Sequence, residues 1–426
     1  TIPAVLQLTG PFNLPVFRQS MRELVRRHEV LRTTFIKGKD APIQCIHLLP
    51  ITAIEVAEIA AAEPEQRQVA ILQDIQAEVQ RPFDLANGPL LRVRILRLSQ
   101  QQHILIFTMH HIISDGWSIG IMAHELSVIY NAFVVGRPSP LPELSIQYAD
   151  FAVWQRTYLQ GSRLAAHLAY WKQQLIGAPT LDLPTDHPRA LSAASPGATC
   201  SQEWPLALAQ QVLELSQQEG VTPFMILLTG FMALLAYQSG QEDITIGTPV
   251  TNRPHPELER LVGFFVNTLV LRVDLSGDPT GYELLRRVRE VTLDGYEHQD
   301  VPFEQVVDAV RPKREQNRSP LFQILFVFQN TPSEDLSLTD LEITSFGTHT
   351  STAKFDLSVG LTMHNHGLEI GTEYNSQLFE LATIQQFHTQ YRILLEQLIA
   401  NPEWKLSELY RGLSELTINA RRSYVH

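Results

Sequence analysis

Apolar residues recur with a helical period near the start of the chain and again after Gly116. Spacings of three or four residues place such side chains on one face of a helix. We expect a first helix to begin near Leu14, and another to follow Gly116 with Ser118 as its N-cap. The same period predicts helices within residues 148–159 and 165–175.

Short apolar runs bounded by polar residues predict strands. Residues 89–98 and 102–110 form two such runs, joined by the polar turn "SQQ". Further along, predicted helices over 206–219 and 223–238 alternate with strands. Those strands are "DITIGTPV", "NTLVLRVDL", "FQILFVFQ", "FDLSVGLTM" and "LEIGTEY". Alternating elements in both halves predict α/β or α+β sandwiches.

The chain is long for a single domain, with 426 residues. Composition changes at "GAPTLDLPTDHPRALSAASPG", which contains four prolines and has no apolar period. Such a segment is typical of an exposed linker. We therefore expect an N-terminal subdomain over 1–177, a linker over 178–197 and a C-terminal subdomain over 198–426.

Charge and cysteine content exclude several classes of protein. The formal net charge is -12 and the pI is near 5.7, which argues against nucleic acid as a partner. The two cysteines, Cys45 and Cys200, show no metal-binding or disulfide-rich spacing. We expect a cytoplasmic protein without a metal site.

The most hydrophobic window, "PFMILLTGFMALLAY", covers residues 223–237 and is too short for a membrane span. Thr222 as N-cap and Pro223 at the first helical position predict a buried core helix instead. The N-terminal "TIPAVLQLTG" has neither a charged segment nor an apolar core typical of a secretory signal. No membrane association is expected.

Candidate chemistry is concentrated in "TMHHIISDGWS", residues 108–118, where a predicted strand meets a predicted helix. His110 and His111 are adjacent on the predicted strand, so one should face a cavity while the other packs inward. Asp115 can return toward the imidazole or pair with an arginine. Gly116 permits a positive φ or a close backbone approach, and its amide opens a helix that favours negative charge.

An imidazole beside an anion-tolerant helix start is the minimum requirement for acyl transfer. The motif alone is equally compatible with a buried histidine bound to an aspartate for structural reasons. Metal binding is less favoured, because no third ligand lies at the spacing of a zinc site.

This stretch is one of six motifs that occur along the chain. They are "RHEVLRTTF" (27–35), "MHHIISDGWS" (109–118), "YADFAVWQ" (148–155), "VGFFVNTLVLR" (262–272), "HQDVPFEQ" (298–305) and "REQNRSPLFQ" (314–323). In this order they resemble the core motifs of condensation domains of nonribosomal peptide synthetases. The resemblance covers nearly the whole chain. The family's first core motif would precede Thr1, so the chain resembles an incomplete domain without that element.

The resemblance implies two chloramphenicol-acetyltransferase-like subdomains in a V-shaped pseudo-dimer with a central tunnel. Donor and acceptor carrier proteins would deliver thioesters on 4'-phosphopantetheine arms, and an adenylation domain would be adjacent in the synthetase. The acceptor amine would attack the donor thioester to form a peptide bond. No intrinsic cofactor or metal is implied, and "SDGWS" favours an L-configured donor.

Residue roles follow from the same resemblance. His111 would be catalytic, as a base or as a group that positions the amine, and Gly116 would contact the oxyanion or allow close substrate approach. Asp115 would hold the loop through a salt bridge to Arg272 or Arg27. His110, Trp117 and Arg32 are expected to be structural. The expected tunnel contacts are Ser114, Ser118, Asn267 and Thr268.

Other activities on the same fold remain open. Heterocyclization is disfavoured because "HHIISDG" retains both histidines, whereas epimerization is harder to exclude. A catalytically silent platform that recruits a partner enzyme is a third alternative, although it need not retain His111, Asp115 and Gly116. Acyl transfer from a free acyl-CoA would require no carrier protein.

Overall fold

The computed structural model describes residues 1–39, 41–48, 53–59, 63–189, 195–312, 318–329, 336–346 and 352–413. Within these ranges, strands β1 to β13 are Ile2–Thr9, Thr33–Lys37, Pro42–Ile46, Ala53–Glu58, Leu91–Arg97, Gln102–Met109, Gly197–Pro205, Asp243–Val250, Asn267–Asp274, Ile324–Gln329, Glu342–Ser345, Leu357–His364 and Gly367–Asn375. Helices α1 to α10 are Leu14–Arg27, Pro64–Gln80, Gly116–Val134, Tyr148–Tyr158, Gly161–Leu175, Leu206–Glu219, Pro223–Ser239, Gly281–Glu297, Phe303–Val310 and Leu381–Ala400.

The chain divides into two compact units, each built from several segments. The first comprises Thr1–Tyr158, Thr251–Val266 and Thr331–Thr348. The second comprises Leu159–Val250, Asn267–Asn330 and His349–His426.

This division differs from the boundary expected at residues 178–197. Trp171 and Leu175 of α5 lie in the hydrophobic core of the second unit. Leu181, inside the expected linker, belongs to the same core and is 4% exposed. The start of the proline-rich segment therefore packs on the second unit, while residues 190–194 lie outside the described residues.

The first unit contains a five-stranded sheet in the order β11-β1-β6-β5-β4. Among the described strand pairs of this sheet, only β4–β5 is parallel. Along the central strand β6, Leu105 and Phe107 pack in the cluster formed with α1 and α3. Ile104 and Ile106 alternate with them and pack against α2 on the other face. Burial of both faces explains why this strand is a continuous apolar run.

The second unit contains a six-stranded sheet in the order β7-β13-β12-β10-β8-β9. Its central helix, α7, is buried at every position from Met225 to Leu235. Thr222 caps this helix by accepting a hydrogen bond from the N–H of Met225, and Pro223 occupies its first turn, which confirms the sequence prediction. No single helix among the described residues is long and apolar enough to cross a membrane. The helices α6 and α7, which are bent by 107° relative to each other, reach that length and hydrophobicity only when they are counted together.

A buried ionic cluster joins α1 to α3 in the first unit. The guanidinium of Arg27 donates to both carboxylate oxygens of Glu125, at 2.9 and 3.0 Å. His28 Nε2 lies 2.8 Å from the same carboxylate, and Arg27 also donates to the carbonyl of Pro142. Burial alone would raise the pKa of Glu125, but the bonds from His28 and Arg27 outweigh it and lower the pKa to about 2.

Glu125→Gln is expected to destabilise the protein at pH 7 by about 3 kcal/mol, because it leaves Arg27 buried without its counter-charge. The pKa of Glu125 is lowered from its usual 4.5 to about 2 in the fold. Its contribution to stability is therefore full above pH 4.5 and is lost as the pH falls through about 2.

Urea unfolding of the parent protein and of Glu125→Gln, from pH 7 down to about pH 2, measures the contribution of Glu125 to stability. The gap between their midpoints should narrow toward acid pH. Glu143→Gln, which removes the exposed partner of Arg26, is the matched control and should change little. A gap that stays constant with pH would contradict the assignment.

Candidate active site

Residues 109–118 form the corner between β6 and α3, which begins where β6 ends at Met109. His110 caps a single 3-10 turn, His111–Ile113, and Asp115 caps α3. Two expectations are therefore wrong. The histidines lie beyond the strand, so strand alternation does not set their directions, and the N-cap of α3 is Asp115 rather than Ser118. The reason for the second is that the Asp115 side chain accepts the N–H of Ser118.

The His110 imidazole supports this turn from inside. Its Nδ1 accepts a hydrogen bond from the N–H of Ile112 at 3.1 Å. The ring stands edge-on to Phe83, with centroids 5.9 Å apart. Burial is the main cause that lowers the pKa of His110, and the neighbouring His111 lowers it further. An unprotonated Nδ1 is what the bond to Ile112 requires.

His111 begins the 3-10 turn and is partly exposed. Its imidazole packs against the ring of Phe264, with centroids 5.0 Å apart and planes at 75°. Both histidines are partly exposed, and His110 accepts a backbone N–H of the turn through its ring.

Asp115 is 2% exposed, and several donors converge on its carboxylate. Oδ1 accepts from the backbone N–H of Ser118 at 2.9 Å and lies 2.7 Å from its hydroxyl. Oδ2 accepts the N–H groups of Phe265 and Val266 at 3.0 and 3.3 Å. A carboxylate held by this many donors organises the loop.

The cationic partner of Asp115 is Arg253, at 3.3 Å, and not Arg272 or Arg27. Arg272 lies on β9 and binds Asp243 of the neighbouring strand at 2.7 Å. Arg27 is held by Glu125, as described above. The Arg253 guanidinium also donates to the carbonyls of Leu258 and Leu261 and lies 4.0 Å from the centroid of the Phe265 ring.

The backbone of residues 263–266 is bound along its length by the start of α3 and by α4. The Ser118 hydroxyl accepts the N–H of Gly263 at 3.0 Å and lies 2.9 Å from its carbonyl oxygen. The Tyr148 hydroxyl donates to the carbonyl of Phe264 at 2.9 Å. Burial, and then the charge of Asp115, raise the pKa of Tyr148 to about 12, so this donor stays neutral at physiological pH.

Gly116 occupies the first position of α3, where helical N–H groups have no intrahelical partner. Of the two alternatives given for this glycine, a positive φ is not the one observed. A Cβ added here would meet no protein atom within 4 Å. The fold itself thus accommodates a side chain at Gly116.

Several expected tunnel contacts are instead internal. Ser114 and Ser118 are fully buried, and both approach Asp115. Asn267 is 9% exposed and donates through its amide to the carbonyls of Gln299 and Val301. These three side chains are therefore engaged by the protein. The backbone N–H of Thr268 also donates to the side chain of Asn267.

Trp117 and Arg32 have protein partners, as a structural role requires. The indole N–H of Trp117 donates to the carbonyl of Glu259 at 2.9 Å. Arg32 pairs with Glu29 at 3.1 Å and donates to the carbonyl of His47. The start of the last motif, residues 314–317, lies outside the described residues.

The corner combines a partly exposed imidazole with the opening turn of a helix. A neutral imidazole can accept a proton, and helix N–H groups stabilise developing negative charge. Among the described residues, no three His, Cys, Asp or Glu side chains are placed to hold a metal ion. The arrangement is therefore suited to proton handling at an acyl group.

Sequence reasoning did not identify Arg253, Phe264 or Tyr148 as parts of this corner. Arg253 is separated from Asp115 by 138 positions, and no local pattern relates them. A signal was present for the other two, because Phe264 lies in the motif at 262–272 and Tyr148 in the motif at 148–155.

The mixed α/β architecture described above matches solved structures of the chloramphenicol-acetyltransferase-like fold. Residues 1–414 match the Condensation domain family. The chain therefore belongs to the condensation-domain family, whose domains in nonribosomal peptide synthetases are amide-forming acyltransferases.

Its relatives are much longer proteins. Malpinin synthetase of Mortierella alpina is 43% identical over 391 residues, which cover 92% of this chain and 5% of that protein. A component protein of the linear gramicidin synthase of Brevibacillus parabrevis is 41% identical over 411 residues, covering 96% and 8%. The chain thus spans less than a tenth of these two relatives.

Solved structures share the fold. The X-domain from teicoplanin biosynthesis, solved in complex with OxyB, is 25% identical with a TM-score of 0.82, covering 96% of this chain and 90% of that one. The four-domain nonribosomal peptide synthetase AB3403 is 22% identical with a TM-score of 0.82, covering 96% and 32%.

Arg253→Gln is expected to lower the free energy of unfolding by about 3 kcal/mol, because it leaves Asp115 buried without its cation. Arg272→Gln, in a more exposed pair, should cost about 1 kcal/mol or less. Urea unfolding of both variants measures the difference. Equal losses, or a larger loss for Arg272→Gln, would contradict the observed pairing.

Proposed function

We propose that this domain forms a peptide bond between two carrier-bound substrates, with an L-configured donor. The acceptor amine attacks the carbonyl carbon of the donor thioester. The new C–N bond replaces the C–S bond, and the amine proton passes to the departing thiolate. The observation that carries the proposal is His111, a partly exposed imidazole on a corner braced by Asp115 and Arg253.

His111 acts on the attacking amine in this scheme. An amine that is partly neutral near physiological pH needs orientation before attack and loses its proton later. The imidazole serves both steps, first by accepting a hydrogen bond from the amine and then by taking the proton toward the thiolate.

Gly116 receives the substrate at the start of α3. A side chain here would meet no protein atom, so the protein's own packing does not explain a glycine. We assign the N–H of Gly116 to the oxyanion of the tetrahedral intermediate, where helix-terminal donors are most effective.

The partners of this scheme are donor and acceptor carrier proteins, whose 4'-phosphopantetheine arms carry the thioesters. An adjacent adenylation domain would select the acceptor amino acid. We place the synthetase in the cytoplasm, where the free thiols of Cys45 and Cys200 would stay reduced.

A silent platform is the second candidate, favoured by one observation. The similar X-domain from teicoplanin biosynthesis was solved in complex with OxyB. Turnover decides between these functions, because a platform would transfer no acyl group. The configuration of the donor residue before and after reaction decides between condensation and epimerization.

His111→Ala is expected to reduce dipeptide formation by about 100-fold or more, because it removes the group that binds the amine and takes its proton. Donor and acceptor aminoacyl groups are loaded on separate carrier proteins, and intact-protein mass spectrometry follows the dipeptidyl carrier. His124→Ala, the same substitution at an exposed position of α3, is the control. L-donors should react faster than D-donors.

Several substrate pairs are compared. If the folded parent protein forms no dipeptide with any substrate pair, the proposal is wrong, and the catalytically silent platform is favoured. Unchanged turnover by His111→Ala would remove His111 from the mechanism.

Gly116→Ala separates substrate approach from folding. The structure has room for the added methyl group, so the melting temperature should stay equal to that of the parent. Turnover should nonetheless fall by about 10-fold or more, because the methyl group occupies the approach to the N–H. Full activity with normal stability would rule out contact between substrate and this backbone.

A further inference from the structure

Phe264 differs from its immediate neighbours in exposure. Gly263 and Phe265 are buried, whereas the Phe264 side chain is 40% exposed. Core packing therefore does not account for an aromatic ring at this position. Its ring contacts the imidazole of His111, with 5.0 Å between the ring centroids.

The backbone that carries Phe264 is held on both sides. Ser118 binds Gly263, Tyr148 donates to the carbonyl of Phe264, and Asp115 accepts the N–H of Phe265. A Cβ on Gly263 would approach the Tyr148 ring to 2.3 Å, so the segment lies in close contact with α4. The backbone position from which the Phe264 side chain extends is therefore fixed by these hydrogen bonds.

We propose that Phe264 is a positioning residue that restrains the His111 imidazole in the orientation used for amide formation. The proposal rests on the proposed function of His111. It assigns no chemistry to Phe264, which has no group that can exchange a proton.

Restraint is needed because the torsion that turns an imidazole has broad minima. A second ring at 75° and 5.0 Å limits that rotation and adds a favourable aromatic contact. A displacement of about 1 Å at a catalytic group can reduce the rate by about 100-fold. The ring of Phe264 therefore acts on the rate without binding substrate.

The kinetic test compares three variants in the dipeptide assay. Phe264→Leu keeps an apolar side chain but removes the flat ring, and kcat should fall by about 10-fold or more with KM changed less than about twofold. Phe264→Tyr keeps the ring and should retain kcat within about threefold. Tyr282→Leu removes a similarly exposed ring, 42% exposed on α8, and should resemble the parent.

The spectroscopic test does not depend on turnover. The protein is labelled with ¹⁵N-histidine, and the His111 signals are assigned by their absence in His111→Ala. Phe264→Leu should change the tautomer-sensitive ¹⁵N shifts of His111 or broaden them, while Phe264→Tyr and Tyr282→Leu leave them unchanged. Thermal unfolding is measured on every variant.

Unchanged His111 signals in Phe264→Leu would overturn the proposal, whatever the kinetics show. A rise in KM at constant kcat would also overturn it and would indicate direct substrate contact instead. If the parent protein forms no dipeptide, the proposed function fails, and the His111 signals still decide whether Phe264 restrains the imidazole.

Discussion

The organisation of the corner depends on one buried carboxylate. Asp115 caps α3, pairs with Arg253 and accepts two backbone N–H groups from residues 265–266. Each bond is ordinary, but together they fix the helix start, the preceding turn and a segment distant in sequence. A buried carboxylate is costly unless such donors surround it. The carboxylate can therefore be buried only when the start of α3, Arg253 and residues 265–266 are all in place. This requirement gives the corner a single arrangement.

The two histidines show how local geometry separates their roles. His110 is committed to the backbone through its Nδ1, and its lowered pKa fits that neutral form. His111, one residue later, starts a 3-10 turn and meets Phe264. The change from strand to turn between Met109 and His111 gives the two partly exposed rings different partners, the N–H of Ile112 and Phe83 for His110 and Phe264 for His111. Adjacent residues of one type thus acquire different environments.

Much of the fold was predictable because its signals are local. The apolar run of β6 and the Thr222-Pro223 start of α7 indicated their elements directly. Family motifs likewise located His111, Asp115 and Gly116. The partner of Asp115 was not predictable, since Arg253 just after β8 and Arg272 within β9 both adjoin apolar runs, and only the packed structure distinguishes them. The boundary expected at residues 178–197 differs from the observed division into units for a related reason. Prolines mark a change in backbone preference, but they do not show which core receives Leu181.

The segmented make-up of the first unit has a consequence for the order of folding. Its sheet includes β11, and its corner requires residues 251–266, so neither is complete when the ribosome has synthesised only Thr1–Tyr158. The nascent chain must keep the Asp115 carboxylate hydrated while the whole of Leu159–Val250, which belongs to the other unit, emerges first. Such long-range closure slows folding and exposes unpaired β-edges in the interval. Residues 1–158 expressed alone would therefore form an incomplete sheet without β11, and not a functional unit.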